Sequence, residues 1–405
     1  MVEVALPGAF FCLSINTTRE EQAVGRARGR EILRIGIYGS YGGYNLGDEA
    51  ILQSIIADIR AHVRAEITVF SREPSDTARR HRVERVVGNW KMSREEIRPE
   101  VERLDFFILG GGGILYDADV RNYLREPMMA LEKDIPVMVY AISAGPLEQV
   151  SIQREVRGFL ERVSAVTVRD RKARHLLEAL GVKRSIVLTA DPALRLIPPP
   201  TPPLSALQGG LPTDRRLIGM SVREPGPAAP TIDENRYQEF LANSADFMVE
   251  RFDAHVVFIP MEKRVRDVQQ SHAVIARMLR AEHTTVLQQE LSTDVLLGSI
   301  GHFAFCVGMR LHFLLFASLQ GVPFVGLPYS PKVHAFLEEL NMDEPPLHLV
   351  NSGRLIAHID AAWDNRIKVA EQISAALPVL RERAGMNIQI ALNVLHSRYG
   401  TLPSP

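Results

Sequence analysis

The chain has 405 residues, 46% of them apolar and 23% charged. That length exceeds what one ordinary core organises, so two domains are expected. A formal net charge of −1 gives no global basic field, which argues against nucleic acid as a partner and against capture by an anionic membrane through charge alone. The clusters "RARGR" (26–30) and "TARRHRVERV" (77–86) read as solvated faces. No apolar run reaches the ~18–20 residues of a membrane span, and the opening "VALPGAFFCLSI" lacks the basic start of a signal peptide. Cys12 and Cys306 stand far apart without a CxxC partner, as in a reducing, cytoplasmic compartment. Residues 1–30 read as an extension, either mobile or docking peripherally on the inner face of a membrane.

From residue 31 short apolar runs alternate with helical patterns. "LRIGIYG" (33–39) predicts a strand, and "DEAILQSIIADIRAHV" (48–63) repeats apolar residues at helical spacing. Further strands are expected at 66–71, 104–112, 136–143, 164–170 and 185–193. Helical patterns between them, such as "DRKARHLLEALG" ending at Gly181, imply a parallel sheet covered on both faces. "IPPPTPPLSALQGGLP" (197–212) is too rich in proline and glycine for an element and reads as a linker. The same grammar then resumes, with strands at 216–222, 254–260, 302–308 and 322–330 and helices near 234–252 and 265–280. A long helical pattern from about 366 to 396 closes the chain. The expected fold is α/β: two Rossmann-like domains (31–197 and 213–365) joined by the linker (198–212), facing across a cleft, with a C-terminal helix and tail (366–405).

Chemistry-bearing residues gather at the strand ends. "GIYGSYGGYNLGDEAIL" (36–52) is a strand, a glycine-rich turn and a helix start, a geometry that exposes backbone N–H groups. It is neither a Walker A motif nor a GxGxxG, and a tight turn with an acidic first helical turn explains the glycines about as well as a ligand does. Tyr41, Tyr44 and Asn45 favour the wall of a sugar pocket. "ILGGGGILYD" (108–117) brings backbone close to a ligand or to a neighbouring helix, with Gly111 and Gly112 as candidate contacts. Arg169 is a strand-end anion ligand or a partner of Asp170 or Glu178, and Asp191 binds a hydroxyl or turns the chain. In "VGMRLHFLLFASLQGVPFVGLPYSPKV" (307–333), Arg310 and His312 open an apolar helix, and Lys332 follows the next strand end. A helix N-terminus with Arg, His and Lys converging is a ready anion site with a proton donor. No HxxxH, HExxH or paired-cysteine spacing points to a metal. The E-x7-E spacing of Glu282 and Glu290 lacks a glycine-rich loop and is taken as chance.

These motifs, together with "YAISAGP", "VTVRDRKA" and "TADPAL", resemble in order the polysaccharide pyruvyl transferase family over roughly residues 33–340. The resemblance implies a GT-B-like pair of Rossmann-like domains, phosphoenolpyruvate as co-substrate without a cofactor, and a glycan or lipid-linked saccharide as acceptor. The implied product is a cyclic pyruvate ketal on a cell-surface glycan precursor. Arg310 and His312 correspond to the family's Arg-x-His helix start, Tyr329, Pro331 and Lys332 to its Y-x-P-K, and Arg169 with Asp170 to its strand-end VRD. The carboxylate and phosphate of phosphoenolpyruvate ask for the cluster of Arg169, Arg310, His312 and Lys332. His312, Arg310 and Asp48 are the expected catalytic residues, His312 as phosphate ligand or proton donor and Asp48 or Asp191 accepting protons from the acceptor hydroxyls. Acceptor contacts then fall to Tyr41, Tyr44, Asn45, Gly111, Gly112 and Asp191. Two rivals share the architecture: a GT-B glycosyltransferase with a nucleotide-sugar donor, and a non-catalytic glycan-assembly protein.

Overall fold

The computed structural model describes residues 31–207, 210–225, 233–262, 267–327, 329–344 and 352–405. Cys12 and the extension over 1–30 lie outside them. The first half alternates β1 (Leu33–Tyr38), α1 (Leu46–His62), β2 (Ala65–Phe70), α2 (Pro74–Arg80), β3 (Arg85–Val87), α3 (Arg94–Glu102) and β4 (Phe106–Leu115). It continues with α4 (Val120–Glu132), β5 (Val137–Ala144), α5 (Val150–Leu160), β6 (Ala165–Val168), α6 (Arg171–Ala179) and β7 (Ile186–Leu188). The second half runs β8 (Arg216–Ser221), α7 (Glu234–Phe252), β9 (Ala254–Phe258), α8 (Asp267–Ile275), β10 (Thr284–Val286), α9 (Thr293–Ile300) and β11 (Phe303–Gly308). It ends with α10 (Leu311–Leu319), β12 (Phe324–Gly326), α11 (Pro331–Glu339), α12 (Ser352–Asp364) and α13 (Arg366–Tyr399).

All strand pairs are parallel, in the orders β3-β2-β1-β4-β5-β6-β7 and β10-β9-β8-β11-β12. Each order reverses once, between β1 and β4 and between β8 and β11, and at such switch points the loops diverge to leave a crevice. The strands are apolar nearly throughout because helices cover both faces. One apolar core runs from the first sheet through α1 and α10 into the second sheet and α13, with Ile51, Ile55, Leu194, Leu311 and Leu315 in it. The linker is anchored as well: the Pro202 carbonyl lies 2.6 Å from His302 Nε2, and Leu207 and Leu211 are buried.

Two expectations are revised. The glycine cluster does not end β4 but lies inside it, where Gly110, Gly112 and Gly113 pair with Tyr140, Ile142 and Ser143. Gly111 and Gly112 take φ of +75° and +89°. A Cβ on Gly111 would stand 2.0 Å from Ile51 Cγ2, so its close neighbour is α1. The short strands β3 and β10 lack enough residues for an alternating pattern to register, and only pairing with β2 and β9 defines them.

Helix α13 is more than an appendage of the second half. It returns across the first sheet, where the Tyr399 hydroxyl donates to the Asp105 carbonyl at 2.6 Å and Arg398 pairs with Asp134 at 2.8 Å. Midway, the fully buried Asn387 accepts from the hydroxyls of Thr167 (2.6 Å) and Thr189 (2.9 Å) and donates to the Ala190 carbonyl (3.2 Å). Replacing Asn387 with leucine takes the donor from the Ala190 carbonyl and leaves the Thr167 and Thr189 hydroxyls only their bonds within the first half, to the Val139 and Val168 carbonyls and from the Ala141 amide. The expected cost is about 3 kcal/mol in urea denaturation; a loss below about 0.5 kcal/mol would show that the network does not tie the halves together.

Candidate functional site

The carboxyl ends of both sheets enclose a polar cavity of about 310 Å³. From the first sheet come Ser40, Gly43 and Asn45 after β1, Asp48 on α1, Arg72 after β2, and Arg169 after β6. Gly113 and Tyr116 add the end of β4. From the second come Arg223 after β8, Glu262 after β9, Arg310 and His312 after β11, and Tyr329 with Lys332 after β12. The halves also touch by backbone, since the Leu46 amide donates to the Met261 carbonyl at 2.9 Å.

The glycine loop is held from below. Glu49 accepts from the Gly42 amide at 2.9 Å through Oε1, and its Oε2 lies 2.7 Å from His81 Nε2. Both side chains are buried, and Gly42 takes φ +71°. The acidic pair at the helix start is thus divided: Glu49 fixes the loop while Asp48 faces the cavity. Asn45 caps α1 by accepting from the Gly47 amide at 3.0 Å. Tyr41 is fully buried, and its hydroxyl donates to the Gly110 carbonyl, so it pins the loop to β4 and does not form the cavity wall. Tyr44 is half-buried at φ +59°. Gly112 lies beside Asp48, where an added Cβ would meet Oδ1 at 3.2 Å.

The glycine at Gly47 is required by the facing half. A Cβ there would stand 2.0 Å from His312 Nδ1. The other ring nitrogen, Nε2, lies 3.4 Å from Asp191 Oδ2. Arg169 reaches the same oxygen at 2.6 Å through Nη1 and the Ser143 hydroxyl at 2.7 Å through Nε. The partner of Arg169 is therefore Asp191, whereas Asp170 caps α6 on the Ala173 amide at 2.7 Å. Asp191 also turns the chain, accepting from the Ala193 amide at 3.0 Å. Burial alone would raise its carboxyl; Arg169, His312 and that amide hold it below the usual carboxylate range.

Arg310 is the N-cap residue of α10, with its side chain 7% exposed. Its Nη2 donates to Glu262 at 2.9 Å, and its Nε lies 3.5 Å from Asp267. Asp267 Oδ2 also accepts from the Met261 and Glu262 amides at 3.0 Å each. Burial pushes its carboxyl up to about 6 even with Arg310 beside it. Arg310 Nη1 is buried and has no hydrogen-bond partner among the described residues, so it is a donor available to a bound acceptor. Burial lowers the Lys332 ammonium, and Arg310, Arg169 and Arg223 lower it further against the opposing Tyr329. Burial resists ionisation of Tyr329, yet Lys332, Arg310 and Arg223 bring the phenol below its ordinary value. Asp48 is raised by burial, which outweighs the pull of His312 and Lys332. The cavity thus offers anion ligands on one side and proton-carrying groups beside them.

A family model described as polysaccharide pyruvyl transferase matches residues 45–331. The chain belongs to that family. The match runs from Asn45, the cap of α1, to Pro331, the first residue of α11, and so includes Gly47, the second glycine cluster and the Arg310–His312 helix start. No curated protein matches the chain. Among solved structures, an S. aureus MnaA co-structure with UDP is 10% identical with a TM-score of 0.63, over 92% of this chain and 99% of that one. A UDP-N-acetylglucosamine 2-epimerase from Rickettsia bellii is 11% identical (TM-score 0.57, 91% and 97% covered). A glycosyltransferase from Rickettsia africae is 10% identical (TM-score 0.56, 91% and 99% covered). These likenesses establish the fold of the pyruvyl transferase family member as GT-B-like, with two Rossmann-like sheets and a long C-terminal helix.

The cavity also holds residues that motif reading passed over: Arg72, Tyr116, Arg223 and Glu262. A signal for two of them, Arg72 and Arg223, was present. Arg72, Arg223 and Arg310 each stand two residues past the end of a strand, and Arg169 one past, so the strand-end rule that singled out Arg169 reaches the others too. Among the described residues no three His, Cys, Asp or Glu side chains are grouped to hold a metal ion, and no helix is long and apolar enough to cross a membrane.

Proposed function

We propose that the protein transfers the pyruvyl group of phosphoenolpyruvate to two hydroxyls of a glycan or lipid-linked saccharide, forming a cyclic ketal and releasing phosphate. The observation that carries this is the cationic wall of Arg310, Lys332 and Arg223 at the start of α10, with Arg310 Nη1 buried and unpartnered among the described residues. A carboxylate and a phosphate on one small molecule match that density of donors. Protonation of the vinyl methylene gives an oxocarbenium-like carbon, one acceptor hydroxyl adds to it, and the second displaces phosphate. His312 is the proton donor or phosphate ligand, held in place by Gly47 and Asp191. Asp48, which burial favours in its protonated form, exchanges protons with the acceptor hydroxyls on the opposite wall. In this reading the protein acts in the cytoplasm on precursors of cell-envelope polysaccharide.

A thermal-shift titration tests the donor. Wild type is expected to be stabilised by phosphoenolpyruvate, by about 2.7 kcal/mol at a hundredfold excess over Kd. Lys332→Met is expected to lose that shift while melting at an equal or higher temperature. The substitution removes an ammonium that burial and three cations make unfavourable, a cost present below its depressed folded pKa and relieved as pH rises through it. Stabilisation by UDP with none by phosphoenolpyruvate would overturn the reading in favour of a nucleotide-sugar donor.

A further inference from the structure

Arg169 and Arg310 are each paired with buried carboxylates, whereas Arg72 is held differently. It leaves the end of β2 on the first sheet, across the cavity from the donors on the second. Its guanidinium carbon lies 4.3 Å from the centre of the Trp90 ring, and its Nη2 donates to the Tyr123 hydroxyl. Its Nε is buried without a hydrogen-bond partner among the described residues. Its Nη1 lies by the Gly43 backbone, 4.0 Å from where a Cβ added there would stand. The carboxylate that acts on it through space is Asp48 on α1. An arginine has five N–H donors, and this one is braced by aromatic rings in a fixed plane while most of its donors stay uncommitted. Trp90 remains 40% exposed beside it, a large apolar side chain next to the cavity-lining Arg72. Neither residue is needed to neutralise phosphoenolpyruvate, which the opposite wall already receives.

We propose that Arg72 and Trp90 form an acceptor-side subsite that binds an anionic group of the acceptor glycan, a phosphate or a carboxylate, with a sugar ring laid against Trp90. A braced guanidinium recognises either group through two parallel hydrogen bonds. The assignment of this anion to the acceptor rests on the pyruvyl-transfer reading, which fills the other wall with the donor.

The experiment uses the full chain and two probes, inorganic pyrophosphate and glucuronate, each titrated by thermal shift in saturating phosphoenolpyruvate. At least one probe is expected to give a shift that adds to that of phosphoenolpyruvate. Arg72→Gln is expected to weaken that probe by about tenfold or more, the effect of losing a charged hydrogen-bond donor, while keeping the phosphoenolpyruvate shift, which certifies its folding. Pyrophosphate alone responding identifies a glycosyl phosphate, and glucuronate alone an acidic sugar. If neither probe adds, if both merely compete with phosphoenolpyruvate, or if Arg72→Gln binds them as wild type does, the subsite is refuted. Should phosphoenolpyruvate itself fail to bind, the probes are titrated alone against Arg72→Gln and Lys332→Met. Loss in the first variant only would uphold the subsite although the donor reading had failed, and loss in neither or in both would refute it.

Discussion

Gly47→Ala is expected to lower turnover about a hundredfold while leaving the fold intact, because the new methyl group falls on the ring of His312. The added Cβ would lie 2.0 Å from Nδ1 and 2.4 Å from Cγ. Of the two, the imidazole is the part able to yield, since it swings about its own side-chain bonds, whereas Gly47 belongs to the first turn of α1. Alanine suits a helix better than glycine by about 1 kcal/mol, so the helix itself loses nothing. A displacement of about 1 Å in a reacting group costs on the order of a hundredfold. The measurement is kcat with phosphoenolpyruvate and acceptor, alongside the melting temperature. His312→Gln is expected to fall by a similar factor, and the double variant to fall little further, because both changes remove the same placed group. Wild-type kcat in Gly47→Ala would mean that the position of His312 does not govern the reaction.

The second large effect is on stability. Arg310→Ala strips the counter-charge from Glu262 and Asp267 in one step. Breaking a buried ion pair from one side typically costs about 3–5 kcal/mol, and that loss is expected in urea denaturation near pH 8. Its pH dependence has a definite sign. The Asp267 carboxyl is about 6 when folded, above its ordinary 3.8. The folded chain therefore holds more protons than the unfolded one between those values, and this group's contribution falls as pH rises through that window. Without Arg310 the folded value climbs further and the fall extends beyond pH 6. The gap between wild type and variant should thus widen from pH 5.5 to pH 8. An equal gap at both, or one under about 1 kcal/mol, would show that Arg310 does not hold these carboxylates.

The strand-end arginines explain why part of the cavity is legible in the sequence. A strand that ends in Arg169, or one that turns into a helix through Arg310 and His312, carries its location in its own local pattern. Arg72 and Arg223 follow the same rule, but their neighbours form no striking motif. Glu262 and Asp267 carry no such signal, because a carboxylate in a loop or at a helix start looks solvated until an arginine 43 residues further on, in the case of Asp267, is seen beside it. Tyr41 shows the reverse error: a polar aromatic residue between glycines suggests a sugar wall, and the fold instead turns its hydroxyl inward onto Gly110.

Local order in the chain was enough to fix the alternation of strands and helices and the parallel sheets. Hydrophobic period, capping and proline content act over a few residues, and they carry that information unaided. The order of strands within each sheet, the return of α13 across the first half, and the partners of each charge were decided only by tertiary structure. Those depend on which residues distant in sequence become neighbours. His312 is placed by Gly47, 265 residues earlier in the chain, and no local pattern records a contact of that kind.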